Sequence, residues 1–115
     1  MEINEKFFEK FEMDMQQLGL FYFREKLEAI IDFLGPSIHN ADAALVACSD
    51  KNETHYIKEK FLVGKLGLDA NDPRLDQAID RVCELMGSEN RHKTRVTFYY
   101  MLMAILQVEH TALQD

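Results

Sequence analysis

The sequence predicts an all-α protein, a compact bundle of about five helices around a buried C-terminal helix. Three observations lead there. Four of the five glycines, Gly19, Gly35, Gly67 and Gly87, stand where helix C-caps belong. The segments between them carry apolar residues at i, i+3, i+4 and i+7, the spacing of one helix face. The run Val96–Val108, read VTFYYMLMAILQV, is interrupted only by Thr97 and Gln107. A helix apolar on every side is one surrounded by protein. Residues 1–115 are expected to form one helical domain, long enough to bury a core without staples.

Helix one is expected over Ile3–Leu18, with Phe7, Phe8, Phe11 and Met15 on one face and Glu5, Glu9 and Glu12 away from it. Leu18-Gly19-Leu20 then fits a left-handed cap whose following apolar residue packs back on the last turn. Helix two spans Phe23–Leu34, with Leu27, Ile30, Ile31 and Leu34 as its stripe, and Gly35-Pro36 stops it. Residues 36–50, PSIHNADAALVACSD, are the least regular stretch, and a short helical turn near Asn40–Leu45 is the reading adopted. Asp50 caps helix three, with Glu53 three residues on completing a capping box, and the helix runs to Leu66. Gly64 inside it costs about 1 kcal/mol against alanine, which points to a close helix crossing. Asp72-Pro73 opens helix four, whose apolar face is Leu75, Ala78, Ile79, Val82, Cys83 and Met86. Helix five is capped by Ser88 or Asn90 and carries the central run to about His110, leaving Thr111–Asp115 frayed.

Charge and composition exclude several classes. A net charge of −7 runs against general nucleic-acid binding and against docking on anionic lipid. The central run is too short to span a bilayer, which takes ~20 residues. The acidic N-terminus lacks the basic region and apolar core of a signal peptide. Cys48 and Cys83 lack CxxC spacing, so they are expected as two reduced, mostly buried thiols, with a disulfide the minority alternative.

No motif specifies a reaction. The histidines, at 39, 55, 92 and 110, include no i, i+4 pair and no HExxH. His39 with Asp42 makes too few ligands for a metal. Asp69-Ala70-Asn71-Asp72 starts like a calcium loop but would place Arg74 where that loop needs glycine. No glycine-rich phosphate cradle is present. One constellation stands out. Asn90-Arg91-His92-Lys93-Thr94-Arg95 brings three cations to the start of helix five, where the helix dipole favours acids. Asn90, Arg91, Lys93 and Arg95 are therefore candidates for an anion site at free helix-start amides. The blander reading is that these cations pair with acids of neighbouring helices. Arg95, nearest the apolar run, is expected to be partly buried against a carboxylate, with Asp42 and Asp50 the candidates.

Gly35-Pro36-Ser37-Ile38, Asn40-Ala41-Asp42-Ala43, Ser49-Asp50, Phe61-Leu62, Lys65-Leu66-Gly67-Leu68, Asn90-Arg91 and Phe98-Tyr99-Tyr100 together resemble a family of small bacterial proteins known as domain of unknown function 2853. The similarity covers roughly residues 34–106 and, more weakly, the first two helices. It implies a compact all-helical bacterial domain of about this length. It implies no activity and supplies no catalytic residue. The chain departs from the family pattern at His92 and Thr94 and after Leu106.

The leading expectation is a cytoplasmic structural or protein-interaction domain with no chemistry, cofactor or metal of its own. Its partner would be an unidentified protein or a second copy, neither nucleic acid nor membrane. The phenylalanines of helix one could serve self-association, although packing on helix five is the preferred reading. The alternative is a small-anion or nucleotide-phosphate binder using the basic turn before helix five. A third possibility, an enzyme built on Cys48 or Cys83, needs a base that the sequence does not place beside either.

Overall fold

The computed structural model describes residues 5–39 and 44–113, and among these the fold is all-α. Helix α1 is Glu5–Gln17, α2 is Arg24–Leu34, α4 is Pro73–Leu85 and α5 is Arg95–Ile105. Helix α3 is α-helical over Lys51–Tyr56 and continues as a π-helix over Ile57–Lys65. Single 3₁₀ turns cover Gly35–His39 and His110–Leu113.

The central run is the post that the other helices surround. Every residue from Arg95 to Met103 is buried. Helices α1, α2 and α4 pack on α5, and Phe61 of α3 stacks on Tyr99 with ring centroids 3.9 Å apart. Phe8, Phe11 and Met15 of α1 are buried in the same core as Leu27, Ile30 and Ile31 of α2. Burying such side chains stabilises by roughly 1.5–3 kcal/mol each, which is why one all-round apolar helix can organise four amphipathic ones. The Cα radius of gyration is 13.2 Å, that of a compact chain.

Helix ends follow the predicted glycines, all four of which take positive φ. At Gly19 the Leu20 amide reaches the Met15 carbonyl at 2.9 Å and the Gly19 amide reaches Gln16 at 3.0 Å, a Schellman closure. The same closure ends α5 five residues before the predicted limit. Val108 N donates to Met103 O at 2.9 Å, Gln107 N to Ala104 O at 3.3 Å, and Gln107 sits at φ 58°. No glycine marks this stop, so the apolar run reads straight through it. The chain then turns back, and the 3₁₀ turn packs on α2 with Leu113 buried. Residues 111–113 are thus docked rather than frayed.

Two further expectations change. Gly64 meets no crossing helix; a Cβ there would lie 3.1 Å from the Glu59 carbonyl oxygen of its own helix. The π-helix is the cause, since its wider turn carries the chain past the carbonyl five residues back. Likewise Asp50 caps α3, accepting from Asn52 N at 2.9 Å, but no capping box closes because the Glu53 side chain points elsewhere. Most of the turn expected near Asn40–Leu45, and the pairing of His39 with Asp42, lie outside the described residues. Leu45 itself forms an isolated antiparallel bridge with Thr94.

Candidate functional site

The start of α5 resolves the charge misfit seen in the sequence. Helix α5 begins at Arg95, with Thr94 in the N-cap position, so Arg91 and Lys93 precede the helix instead of occupying its first turn. Neither Ser88 nor Asn90 caps it. The acid that the dipole favours comes from α1: Asp14 Oδ2 accepts from Thr94 Oγ1 at 3.2 Å and from Thr97 Oγ1 at 3.3 Å. Nothing local in the sequence marks Asp14 for this role, because its partner lies 80 residues away.

Asn90 builds the turn before α5. Its Nδ2 donates to the Met86 carbonyl at the end of α4 (3.0 Å), and its Oδ1 accepts from His92 N (2.8 Å). The chain then runs alongside residues 45–46, and Val46 N donates to Lys93 O at 2.8 Å. Between these two segments lies a cavity of about 880 Å³, lined by residues 45–49, 88–91 and 93. Asn90, Arg91 and Lys93 therefore share one cavity, as the candidate anion site requires.

Lys93 is the unusual member. It is only 3% exposed, and its Nζ donates to the Asn90 carbonyl at 2.5 Å. Among the described residues no carboxylate pairs with it. An ammonium taken out of water without a counter-charge costs free energy that one neutral acceptor offsets only in part. Arg91 is exposed at the same cavity, and so is Glu89, an acid that an incoming anion must avoid.

Arg95 does not join them. It turns from the Leu45–Thr94 bridge into a neighbouring pocket, where it is 8% exposed. There its guanidinium bonds the Glu53 carboxylate, the Leu45 carbonyl (3.1 Å) and the Tyr99 hydroxyl (3.1 Å). Burial opposes the charge on Arg95, and the Tyr99 and Glu53 oxygens outweigh it, so its pKa rises. Burial also pushes the Tyr99 phenol above its ordinary value. A pocket of about 480 Å³ opens here, walled by Phe33, Tyr56, Phe61 and Tyr99. The predicted burial of Arg95 against a carboxylate is met by Glu53; Asp50 is engaged at its cap, and Asp42 lies outside the described residues. Tyr99, four residues on from Arg95 along one helix face, was legible from spacing. Glu53 was hidden by its fit to a capping box.

The cysteines overturn the reduced-thiol expectation. Cys48 and Cys83 form a disulfide that ties the irregular segment to α4, with Cα atoms 6.0 Å apart across 35 residues of sequence. Cys48 lies on the wall of the cationic cavity and Cys83 does not. Nothing in the spacing announced the pair, because the contact depends on where an irregular segment lands.

No helix among the described residues is long and apolar enough to cross a membrane. Residues 11–110 match the model of a family described as a protein of unknown function, DUF2853. No curated protein matches the chain.

Proposed function

The chain belongs to the DUF2853 family, and on that footing we propose that it is a non-catalytic binding domain whose cavity between residues 45–49 and 88–93 takes a small anion, a phosphate or carboxylate group. The observation that carries this reading is Lys93, a cation 3% exposed, without a carboxylate partner among the described residues, on the wall of a cavity of about 880 Å³. A bound anion supplies the missing counter-charge, and Arg91 adds a second cation at the mouth. Asn90 serves as scaffold, since both ends of its amide are engaged by backbone. Arg95 is assigned to the neighbouring ion pair and not to the anion.

A thermal-shift series with inorganic phosphate, pyrophosphate and citrate tests this. Ligand that binds only the folded state stabilises by mass action, about 2.7 kcal/mol at a hundredfold excess over Kd. The expected result is a saturable rise in Tm that Arg91→Gln weakens and Lys93→Met abolishes. Without anion, Lys93→Met is as stable as the parent or more so, because an apolar chain of similar length removes a poorly compensated charge. A flat Tm with all three anions, or a Lys93→Met protein that loses more than about 2 kcal/mol unliganded, contradicts the reading.

A protein-interaction role is a second reading with its own observation. Phe21 and Phe23 are 90% and 67% exposed on the α1–α2 turn, edge to face with centroids 6.4 Å apart. The turn is anchored, not loose: Phe23 N donates to Tyr100 Oη at 2.7 Å and the Tyr22 hydroxyl bonds Glu12. Light scattering of the parent against a Phe21→Ser, Phe23→Ser protein tests whether this pair drives self-association. Equal masses at all concentrations contradict that form of the reading.

A further inference from the structure

We propose that Cys48 is a thiol-exchange site served by the cationic cavity, and that its reactant is an anionic low-molecular-weight thiol, one carrying a carboxylate. This rests on the anion reading above and specifies its ligand. Three observations converge. Cys48 is on the cavity wall beside Arg91 and Lys93. Its disulfide partner Cys83 is on α4 and does not line the cavity. Both cysteines are part-buried, and the cavity gives a ligand larger than water an approach to the bond from the Cys48 side.

The geometry assigns the order of events. Lys93 and Arg91 hold the carboxylate, and the ligand's thiolate attacks Cys48 Sγ. The new S–S bond forms on Cys48 as the Cys48–Cys83 bond breaks. The electron pair leaves on Cys83 Sγ, which takes a proton from solvent. A second thiolate then attacks the ligand sulfur of this mixed disulfide and releases Cys48 as thiolate. In total two small thiols are oxidised to their disulfide and the protein disulfide is reduced to two thiols. The step removes the covalent tie between residues 45–49 and α4 while the Val46–Lys93 and Leu45–Arg95 hydrogen bonds still hold the segment beside the start of α5. The cations raise the local concentration of an anionic thiol over a neutral one, by about tenfold or more in a focusing cleft of this kind.

The test uses the full chain, oxidised in oxidised glutathione and confirmed by intact mass. It is then exposed, at matched thiolate concentration, to reduced glutathione, 2-mercaptoethanol and cysteamine, which differ in charge. Mass spectrometry follows the mixed disulfide and its position. The expected result is a mixed disulfide on Cys48, formed about tenfold faster with glutathione than with the neutral or cationic thiol at low salt. In R91Q and K93M that advantage shrinks, because the glutathione rate falls more than the 2-mercaptoethanol rate; R91Q, at an exposed position, keeps the test valid should K93M misfold. Equal rates for the three thiols overturn the proposal, as does a mixed disulfide formed on Cys83, or a chain that keeps both thiols free in oxidised glutathione. Competition by inorganic phosphate separates the two claims. If phosphate raises Tm yet all thiols react alike, the anion site stands and the exchange site falls. If phosphate does nothing and the rates are equal, both fall.

Discussion

Arg95 at the start of α5 and Glu53 in the first stretch of α3 form an ion pair across 42 residues of sequence, with side chains only 10% and 18% exposed. The pair joins the buried post to a helix that also meets it through the Phe61–Tyr99 stack. Removing one member of a buried pair leaves the other charge without its counter-charge, so Glu53→Ala is expected to cost about 3 kcal/mol in urea unfolding. Replacing both, as Glu53→Leu with Arg95→Met, should recover most of that loss. A cost below about 0.5 kcal/mol for Glu53→Ala would class the contact with exposed pairs such as Arg81–Glu84.

Gln107 ends α5 in the left-handed region, at φ 58°. A side chain there costs roughly 1–2 kcal/mol, partly offset for glycine by its freer unfolded chain. Gln107→Gly is therefore expected to stabilise by about 0.5–1 kcal/mol, read as a higher urea midpoint at unchanged slope. A destabilised variant would show that the Gln107 side chain contributes contacts that outweigh the backbone strain.

Gly64 separates a π-helix from an α-helix by mutation. In an exposed α-helical interior, glycine to alanine gains up to about 1 kcal/mol. With the Glu59 carbonyl oxygen 3.1 Å from the new Cβ, that gain should vanish, leaving Gly64→Ala no more stable than the parent. Full recovery of the α-helical gain in thermal unfolding contradicts the π geometry.

Alkaline stability follows from Tyr99. Burial raises its phenol above the ordinary 10.0, and Tyr100 shifts the same way for the same reason. A raised folded pKa means that the stabilisation is fully present below about pH 10 and is lost as pH climbs through the folded value. Unfolding free energy should hold level up to that point and fall above it, with phenolate absorbance from these two tyrosines appearing together with unfolding. Ordinary titration of Tyr99 and Tyr100 in the folded protein would contradict their burial.

Much of this architecture was legible in the sequence, and the misses share a cause. Local signals held: glycines at helix ends, the Asp72-Pro73 start of α4, the stripes of α2 and α4, and the all-round apolarity of α5. What failed depended on contacts between distant segments or on backbone geometry without a marker residue. Asp14 reads as surface acid until α1 is laid against α5. Glu53 fits a capping box until Arg95 claims it. Gln107 carries no sign of a helix stop, and Cys48 meets Cys83 only once the irregular segment is placed. Of the four anion-site candidates, Asn90, Arg91 and Lys93 converge on one cavity and Arg95 does not, because Arg95 is the first residue of α5 and the turn from the extended Leu45–Thr94 bridge into the helix carries its side chain to the neighbouring pocket.

The proposed anion would complete the environment of Lys93. Titration of ¹⁵N-labelled protein with pyrophosphate, followed by amide chemical shifts, tests it most directly. Saturable shifts are expected, confined to residues 45–49 and 88–93, present in the parent and absent in Lys93→Met. Shifts that stay flat, that persist in Lys93→Met, or that map instead to the Phe33–Tyr56–Tyr99 pocket would contradict it.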